Sequence, residues 1–236
     1  MQIEHSEFQD QLVRGLSHRM NNILTLFHGY LGLLLDNKQL DEATLAGLAK
    51  VKEGAKAASE LMDRTCSLAR PPSVVWREVK LGDFLRILRP SFDAIRNAKT
   101  ELDIECEDDA PPVWGDASRI KTAIFEIVRN ALEATASGGH VKIAVRLAPQ
   151  LQNTQTRTAL HWVEIVISND GPAIPDEIAD RIYHPFFTTR HRQNANGLGL
   201  AVARGFIQQL GGVLRHESEP GCTAFKILLP GRSEIG

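Results

Sequence analysis

The sequence predicts an α+β protein in two parts, an N-terminal antiparallel helical hairpin followed by an α/β sandwich with helices on one face. Two long stretches with apolar residues at steps of three and four predict the hairpin. The pair Pro71-Pro72 ends the second stretch, because proline cannot continue a helix. Beyond it, short alternating stretches interleaved with helical patterns indicate a sheet covered by helices. We therefore expect one domain at residues 1–72 and a second at residues 73–236.

Each helix of the hairpin carries an apolar stripe that needs a partner surface. Two helices of about 30 residues, each roughly 45 Å long, cannot bury both stripes by pairing with each other alone. Pairing with a second copy into a four-helix bundle would bury them, and we expect this homodimer. Packing against the rest of the same chain is the alternative. The stripes comprise Phe8, Leu12, Leu16, Met20, Ile23, Phe27, Leu31 and Leu34, then Leu45, Leu48, Val51, Ala55, Ala58, Met62, Cys66 and Ala69.

The second part alternates helices with strands that look antiparallel. The longest helical pattern of this part has Asp116 or Ser118 near its N-terminal cap. Helices are predicted over residues 81–98, 117–136 and 197–210, and strands over 101–106, 140–147, 160–168, 213–216 and 223–229.

Composition and charge argue against several classes of protein. A hydrophobic content of 43% and a charged content of 24% are ordinary for a globular protein, and a net charge of -2 gives no case for binding nucleic acid. The three cysteines are far apart and form no CxxC pair, which argues against a disulfide framework and indicates a reducing compartment. No signal peptide opens the chain, and no apolar run reaches the roughly 20 residues that span a bilayer. We therefore expect a cytoplasmic location without membrane insertion.

The first chemical motif is the pair Glu126 and Asn130. On a helix these residues lie one turn apart on the same face. Carboxylate and amide oxygens suit a hard cation such as Mg²⁺, which proteins hold through one or two oxygens together with phosphates. A solvated polar face of an amphipathic helix is the alternative interpretation.

The second motif is the turn that begins at Asn169, Asp170 and Gly171, directly after an apolar strand. Small residues and Pro172 make a tight turn that lets a flat ring approach the backbone. Taken alone, this stretch is an ordinary turn.

The third motif is a Phe-Phe-Thr-Thr-Arg stretch containing Thr188, Thr189 and Arg190, followed by a polar loop. Gly197 and Gly199 then open a helix. Backbone N–H groups at a helix start, with glycines that allow close approach, form a phosphate site. The glycines alone are weak evidence, but their order with the other two motifs strengthens it.

Together these motifs resemble the catalytic core of a bacterial two-component sensor histidine kinase. The first two helices are similar to its dimerisation and phosphoacceptor domain, through Leu16-Ser17-His18 and Asn22. Residues 81–230 are similar to the Bergerat-type ATP-binding domain shared with gyrase and MutL. The motifs that carry this second likeness are Arg129-Asn130-Ala131, the Asp-Gly-Pro turn, the Phe-Phe-Thr-Thr box and Gly197-Leu-Gly-Leu. The resemblance spans nearly the whole chain.

The resemblance implies phosphoryl transfer from Mg-ATP. It implies that Asn130 coordinates Mg²⁺, that the Gly171 turn lines the adenine pocket, and that residues 188–190, Gly197 and Gly199 border the lid and the phosphates. His18 would attack the γ-phosphate through its ε nitrogen and pass the group to an aspartate of a response-regulator receiver domain. Positions 16 and 20 lie on the apolar stripe, so we expect His18 to point away from the core.

Arg19 departs from the family pattern, which has a carboxylate directly after the phosphoacceptor. A guanidinium has no hydrogen-bond acceptor and stays protonated, so Arg19 cannot act as a base for His18. Its charge disfavours the cationic imidazolium and makes the imidazole a poorer nucleophile. Arg19 can instead pair with a transferred phosphate. We therefore expect slow self-phosphorylation and a better-than-usual role as a phosphate acceptor.

The turn at residues 169–175, which the resemblance assigns to the adenine pocket and which we call the base turn, departs from the family pattern as well. Asn169 and Ala173 stand where the family has Asp and Gly. Asn169 can accept from the adenine amino group and donate to the neighbouring ring nitrogen, so we expect weakened rather than lost binding. Asp170 would take the place of Asn169 in binding the base only if the turn shifts by one residue. Glu126 matches the water-activating residue of the gyrase and MutL branch, and Asn22 matches the family position that orients water for receiver dephosphorylation. Two alternatives stay open: a histidine phosphotransfer or receiver-binding protein with a degenerate ATP domain, and an ATPase switch in which His18 is incidental.

Overall fold

A computed structural model provides the coordinates of the chain. The structure describes residues 2–37, 39–69, 73–107, 110–148, 161–189 and 196–231. In the first helix it describes the side chains from Arg19 onward, and in the second all except those of residues 64 and 67–69. The chain divides into a helical unit built on Met1–Pro72 and a second unit made of Ser73–Thr189 and Gly197–Gly236.

The helical unit is a hairpin of α1 (Gln2–Leu35) and α2 (Glu42–Ala69). Asp41 starts α2, because its carboxylate accepts hydrogen bonds from the backbone N–H and the hydroxyl of Thr44, each at 2.8 Å. These bonds hold the pKa of Asp41 below its usual value. A contact of 3.4 Å between His28 Nε2 and Ser59 Oγ joins the two helices.

The hairpin buries a narrower seam than the predicted stripe. Among the described α1 side chains, Leu24 and Leu31 are buried, and they are seven residues apart, as expected for a two-helix seam. Leu24 was not in the predicted stripe. Four stripe members lie exposed instead, because apolar residues cover more than one side of α1: Met20, Ile23, Phe27 and Leu34. The expectation that one hairpin cannot bury all of its apolar surface is therefore confirmed.

The second unit is built on a five-stranded sheet in the order β2-β4-β5-β7-β6. The strands β2 and β4 are parallel, and the other neighbours are antiparallel. The prediction of antiparallel strands is thus wrong for β2, because the chain crosses over through a helix between β2 and β4 and returns in the same direction. The strands are β1 (Arg77–Val79), β2 (Glu101–Cys106), β3 (Val113–Gly115), β4 (His140–Leu147), β5 (Trp162–Asn169), β6 (Val213–Glu219) and β7 (Cys222–Pro230), and β1 pairs with β3 apart from the main sheet.

Helices cover one face of this sheet. Burial alternates along β4, where Val141, Ile143 and Val145 point into the core and their neighbours are more exposed. Ile124 and Ile127, on the longest helix of this unit, are fully buried against them. The helices are α3 (Leu81–Asp93), α4 (Ala117–Ala134), α5 (Asp176–Ala179), a 3-10 turn (Arg181–Tyr183) and α6 (Gly199–Gln209).

The sequence pattern misplaces a few boundaries for local reasons. The helix α3 stops at Asp93 rather than residue 98, because the chain then turns and Asn97 Oδ1 accepts from the Lys99 N–H. The strand β6 runs on to Glu219, which pairs with Cys222 across a tight hairpin. The elements β1, β3, α5 and the 3-10 turn have three or four residues each, too few to show a period.

Candidate functional site

The helix α4 carries the first group of candidate residues, and Asp116 fixes where it begins. The Asp116 carboxylate caps the helix by accepting from the Ser118 N–H at 2.9 Å, and it also accepts from the Val75 N–H at 3.0 Å. Burial alone would raise the pKa of Asp116, but these bonds outweigh it and hold the pKa below the usual 3.8. The start of α4 is therefore fixed, and with it the positions of Glu126 and Asn130 along the helix.

Glu126 is buried in the α/β unit with only 3% of its surface exposed. Its carboxylate forms an ion pair with the guanidinium of Arg129, one turn along α4. Gly199, the first residue of α6, lies against the same carboxylate, because a Cβ built on it would be 2.6 Å from Glu126 Oε2. The structure thus brings together Glu126 and the glycine that opens α6.

Asn130 lies one turn beyond Glu126 on α4 and is half-buried. Its amide oxygen is of the chemical type that Mg²⁺ takes from proteins alongside phosphate oxygens. The Glu126 carboxylate is already neutralised by Arg129. Within the described ranges, no cluster of three or more His, Cys, Asp or Glu side chains has metal-binding geometry. The donor set therefore fits a cation held through Asn130 and ligand oxygens better than one held by a protein cage.

The turn after β5 brings Asn169 and Gly171 together at the end of α4. Asn169 is buried, with 5% of its surface exposed, and its Nδ2 has no hydrogen-bond partner among the described residues. Gly171 packs closely here, since a Cβ built on it would be 2.6 Å from Asn169 Nδ2 and 2.7 Å from the Ala134 carbonyl oxygen. Leaving a buried amide donor unpaired costs about 1–3 kcal/mol, so this side chain is suited to a ligand that supplies an acceptor.

Asp170 has a different environment from Asn169. It is exposed, and its carboxylate accepts a hydrogen bond from the His140 N–H at 2.8 Å. A Cβ built on Gly139 would be 2.5 Å from Asp170 Oδ1, so the carboxylate lies over the turn before β4. Its bond to His140 ties the base turn to the start of β4.

The glycine-rich end of the polar loop meets the Phe-Phe-Thr-Thr stretch. Gly197 has a φ of 64°, and a Cβ on it would be 2.5 Å from the carbonyl carbon of Phe186. Phe186 itself has a φ of 66°, a costly conformation for an aromatic residue. Thr188 is half-buried and Thr189 is exposed, directly after this contact. Arg190, the last predicted residue of this motif, lies outside the described residues.

The candidate phosphoacceptor region lies in the middle of α1. Positions 18 and 22 are one turn apart on a continuous helix. Arg19 and Asn22 are both exposed. The predicted outward orientation of His18 lies outside the described side chains and stays a prediction.

Three residues near these motifs were not among the predicted site residues. Arg129 pairs with Glu126, and their spacing of three on a helix is a signal that the sequence already contained. Thr223 faces Asn169 across β5 and β7, and Ser218 faces Thr223 across the next hairpin. The Ser218 pairing follows from the short turn at Pro220-Gly221, whereas the pairing of Asn169 with a residue 54 positions away requires the folded sheet.

The comparisons with known proteins place this unit in a family. The family model described as histidine kinase-, DNA gyrase B- and HSP90-like ATPase matches residues 115–233. The chain belongs to this family. The matched segment contains every candidate residue described above in the α/β unit, from Glu126 to Gly199.

Several curated relatives are named as sensor kinases or sensory histidine kinases. The sensory histidine kinase/phosphatase NtrB of Klebsiella oxytoca is 31% identical over 233 residues, covering 97% of this chain and 65% of that protein. The sensor kinase CckA of Brucella abortus is 28% identical over 225 residues, covering 93% of this chain and 24% of that protein. The α/β unit is therefore the ATP-binding catalytic domain of a two-component histidine kinase.

Solved structures support the same fold. A mycobacterial sensor histidine kinase, MprB, matches 67% of this chain and 99% of that chain with a TM-score of 0.53 and 25% identity. Full-length ShkA in complex with AMPPNP matches 96% of this chain and 47% of that chain with a TM-score of 0.76, and at 19% identity it shows the fold alone.

The chain spans between 24% and 65% of the length of the curated relatives that it matches. No helix in the described part of the chain combines the length and the apolar character needed to cross a bilayer.

Proposed function

We propose that this chain is an ATP-dependent protein-histidine kinase that phosphorylates its own His18. In this reaction His18 Nε2 attacks the γ-phosphorus of ATP and forms a P–N bond. The bond from that phosphorus to the bridging oxygen breaks, ADP leaves with the electron pair, and the imidazole releases its Nδ1 proton to water. A receiver-domain aspartate then attacks the same phosphorus, and the P–N bond breaks to give an acyl phosphate and free histidine.

The observation that carries the nucleotide part of this proposal is the unpartnered buried Nδ2 of Asn169 beside Gly171. Adenine presents an amino group next to a ring nitrogen. An asparagine amide complements this edge, because its oxygen accepts from the amino group and its nitrogen donates to the ring nitrogen. A bound adenine would therefore satisfy the group that the protein leaves unpaired. Asp170, exposed and bonded to His140, is the weaker candidate for the same role.

The phosphate end of the site is assigned to the Gly197–Gly199 segment and α4. Backbone N–H groups at the start of α6 suit phosphate oxygens, and Thr188, Thr189 and Arg190 would border this region. Asn130 would hold Mg²⁺, which neutralises phosphate charge when bound. Glu126 would contribute through its place between Arg129 and Gly199 rather than as the main metal ligand.

The acceptor region supports a kinase of weakened intrinsic activity. Arg19 is exposed directly after His18, and a guanidinium cannot take the proton that the imidazole must lose. A positioned base is typically worth about 10² to 10⁴ in rate, so its loss slows self-phosphorylation without abolishing it. Asn169 weakens nucleotide binding relative to a carboxylate, because bonds to charged groups are stronger.

The proposed partners are a second copy of the chain and a response-regulator receiver domain. The exposed apolar side of the hairpin supports the homodimer, since it includes Ile23, Phe27 and Leu34. An exposed Asn22 one turn after the acceptor supports a water-orienting role toward a phosphorylated receiver.

A second function is favoured by the position of Arg19. A guanidinium beside the acceptor can pair with a phosphate that arrives from another protein. The chain would then be a histidine phosphotransfer or receiver-binding protein with a degenerate ATP domain.

One labelling experiment separates the two functions. The protein is incubated with Mg²⁺ and ATP labelled at the γ-phosphate, as the wild type and as His18→Ala and Asn130→Ala. We expect acid-labile label that needs both residues, with His28→Gln as the control because His28 lies on the same helix but contacts Ser59. Label acquired only from a phosphorylated receiver would replace the kinase assignment with the relay.

A further inference from the structure

We infer that Ser218 and Thr223 form a hydroxyl clamp that positions the base turn, and so act as positioning residues for base recognition at the proposed ATP site. This inference rests on the proposed nucleotide site and adds the residues that hold it in shape. The clamp is defined by Ser218, Thr223 and the two backbone groups that they bind, the Ile174 N–H and the Pro172 carbonyl.

The base turn needs side chains to hold it. Pro172 and Pro175 have no N–H group to donate. Within the described ranges, no backbone–backbone hydrogen bond joins positions 171–174 to the sheet. The turn therefore cannot be fixed by the ladder that fixes Asn169 on β5.

The clamp supplies the missing hydrogen bonds as a series in which each hydroxyl accepts from one group and donates to the next. The Ile174 N–H donates to Ser218 Oγ at 2.8 Å, and Ser218 Oγ lies 2.8 Å from Thr223 Oγ1. Thr223 Oγ1 donates to the Pro172 carbonyl oxygen at 3.3 Å. Because the single proton of Thr223 goes to Pro172, Ser218 is the donor to Thr223, and each hydroxyl donates once and accepts once.

The clamp is also in register with the base-contacting residue. Asn169 pairs with Thr223 across β5 and β7, and Thr223 pairs with Ser218 across β7 and β6. The three side chains therefore form a row across three strands on one face of the sheet. Thr223 is 4% exposed, so its bonds are shielded from competing water. The row thus fixes the distance between the Asn169 amide and positions 172–174 of the base turn.

The test is equilibrium binding of ATP and of purine riboside triphosphate, which lacks the 6-amino group, to the full chain carrying His18→Ala. We expect the protein with the wild-type clamp to bind ATP more tightly than purine riboside triphosphate. Ser218→Ala should reduce this ratio of affinities by about three- to tenfold, the range of one neutral hydrogen bond. Ser218→Thr keeps a hydroxyl and should restore the preference. Ser168→Ala is the matched control, because Ser168 is next to Asn169 but on the other face of the strand.

A second variant keeps the inference testable if Ser218→Ala does not fold. Thr223→Val removes the donor to Pro172 at nearly constant volume and should reduce the preference by a similar factor. The double variant should lose little more than either single variant, because both break one chain. Ser218→Ala and Thr223→Val proteins that are less stable but keep the wild-type preference would overturn the clamp. That outcome leaves the kinase proposal standing, since its test is label on His18, whereas a wild-type chain that binds no ATP overturns both.

Discussion

Gly199 and Glu126 lie so close that a Cβ on the glycine would come within 2.6 Å of Glu126 Oε2. The first residue of α6 therefore packs on the ion pair that Glu126 makes with Arg129. In the middle of a helix Gly→Ala is favourable by roughly 0.5–1 kcal/mol, but at the first position of α6 the methyl group must displace a buried carboxylate.

We predict that Gly199→Ala lowers the free energy of unfolding by about 1–3 kcal/mol, the usual cost of overpacking. It should also weaken nucleotide binding. Urea unfolding and calorimetric titration with ATP measure the two effects. Gly54→Ala on α2 is the control, since nothing lies within 4 Å of its added Cβ. Equal responses of the two variants would show that the close contact has no energetic weight.

Replacing Arg19 tests the proposed weakness of the kinase. Arg19→Glu supplies a carboxylate beside His18, so we expect phosphohistidine to form faster, by up to the roughly 10² to 10⁴ that a positioned base is typically worth. Arg19→Ala removes the cation without adding a base and should give a smaller increase. Initial rates with labelled ATP distinguish the three proteins. An unchanged rate in Arg19→Glu would show that Arg19 does not limit the reaction.

The unpaired amide of Asn169 predicts a specific response to an altered base. Taking N1 as the ring nitrogen that Nδ2 meets beside the amino group, ATP in which N1 is replaced by carbon (1-deaza-ATP) offers Nδ2 no acceptor, so we expect about three- to tenfold weaker binding to the wild type. Asn169→Asp cannot donate to N1 and should bind ATP and 1-deaza-ATP with a smaller difference. If the wild type binds the two nucleotides equally, Asn169 Nδ2 does not face N1.

The exposed side of α1 predicts a dimer that a single charge disrupts. Phe27 is 53% exposed in the single chain, and a glutamate there would be buried in a four-helix bundle. We expect Phe27→Glu to weaken self-association about tenfold or more, as measured by sedimentation. Lys52→Glu, an exposed change on α2, is the control for altered charge. A wild-type chain that sediments as a monomer at every concentration would rule out the hairpin dimer.

The lowered pKa of His216 predicts that the stability of the folded protein depends on pH. Burial lowers the pKa of His216 from its usual 6.5, although Asp180 opposes this effect. Its Nδ1 lies 3.0 Å from the hydroxyl of Tyr183, and burial raises the pKa of Tyr183 to about 12 despite the nearby charge of Arg204. Tyr183 therefore stays neutral throughout the range in which His216 titrates.

The sign of that dependence follows from proton binding. Below pH 6.5 the unfolded chain binds a proton at His216 more readily than the folded chain does, so stability falls as pH decreases through the folded pKa. Urea unfolding between about pH 5 and 8 should show this loss in the wild type and less of it in His216→Gln. His184→Gln, which changes an exposed histidine, should retain the wild-type profile. A slope that His216→Gln does not reduce would assign the dependence to other groups.

The elements that are long enough to show a helix or strand period could be predicted from the sequence. The strands β2 and β4 occupy the predicted residues, and α4 begins at the predicted cap, because alternation and capping are local properties. The parallel pairing of β2 with β4 could not be predicted, since strand direction depends on the crossover and not on the strand's own residues. The seam of α1 was also misassigned, because several of its sides are apolar and only the partner helix selects Leu24 and Leu31.

By itself, then, the sequence determined the two-part organisation, the motif order and the residues on which nucleotide chemistry is proposed. Those signals come from residues close together in the chain, where helix and strand periods act. Only the tertiary structure decided which of these residues meet. Gly199 against Glu126, Gly197 against Phe186, and Thr223 opposite Asn169 are contacts between distant segments, and packing of α4, α6 and the sheet brings them together.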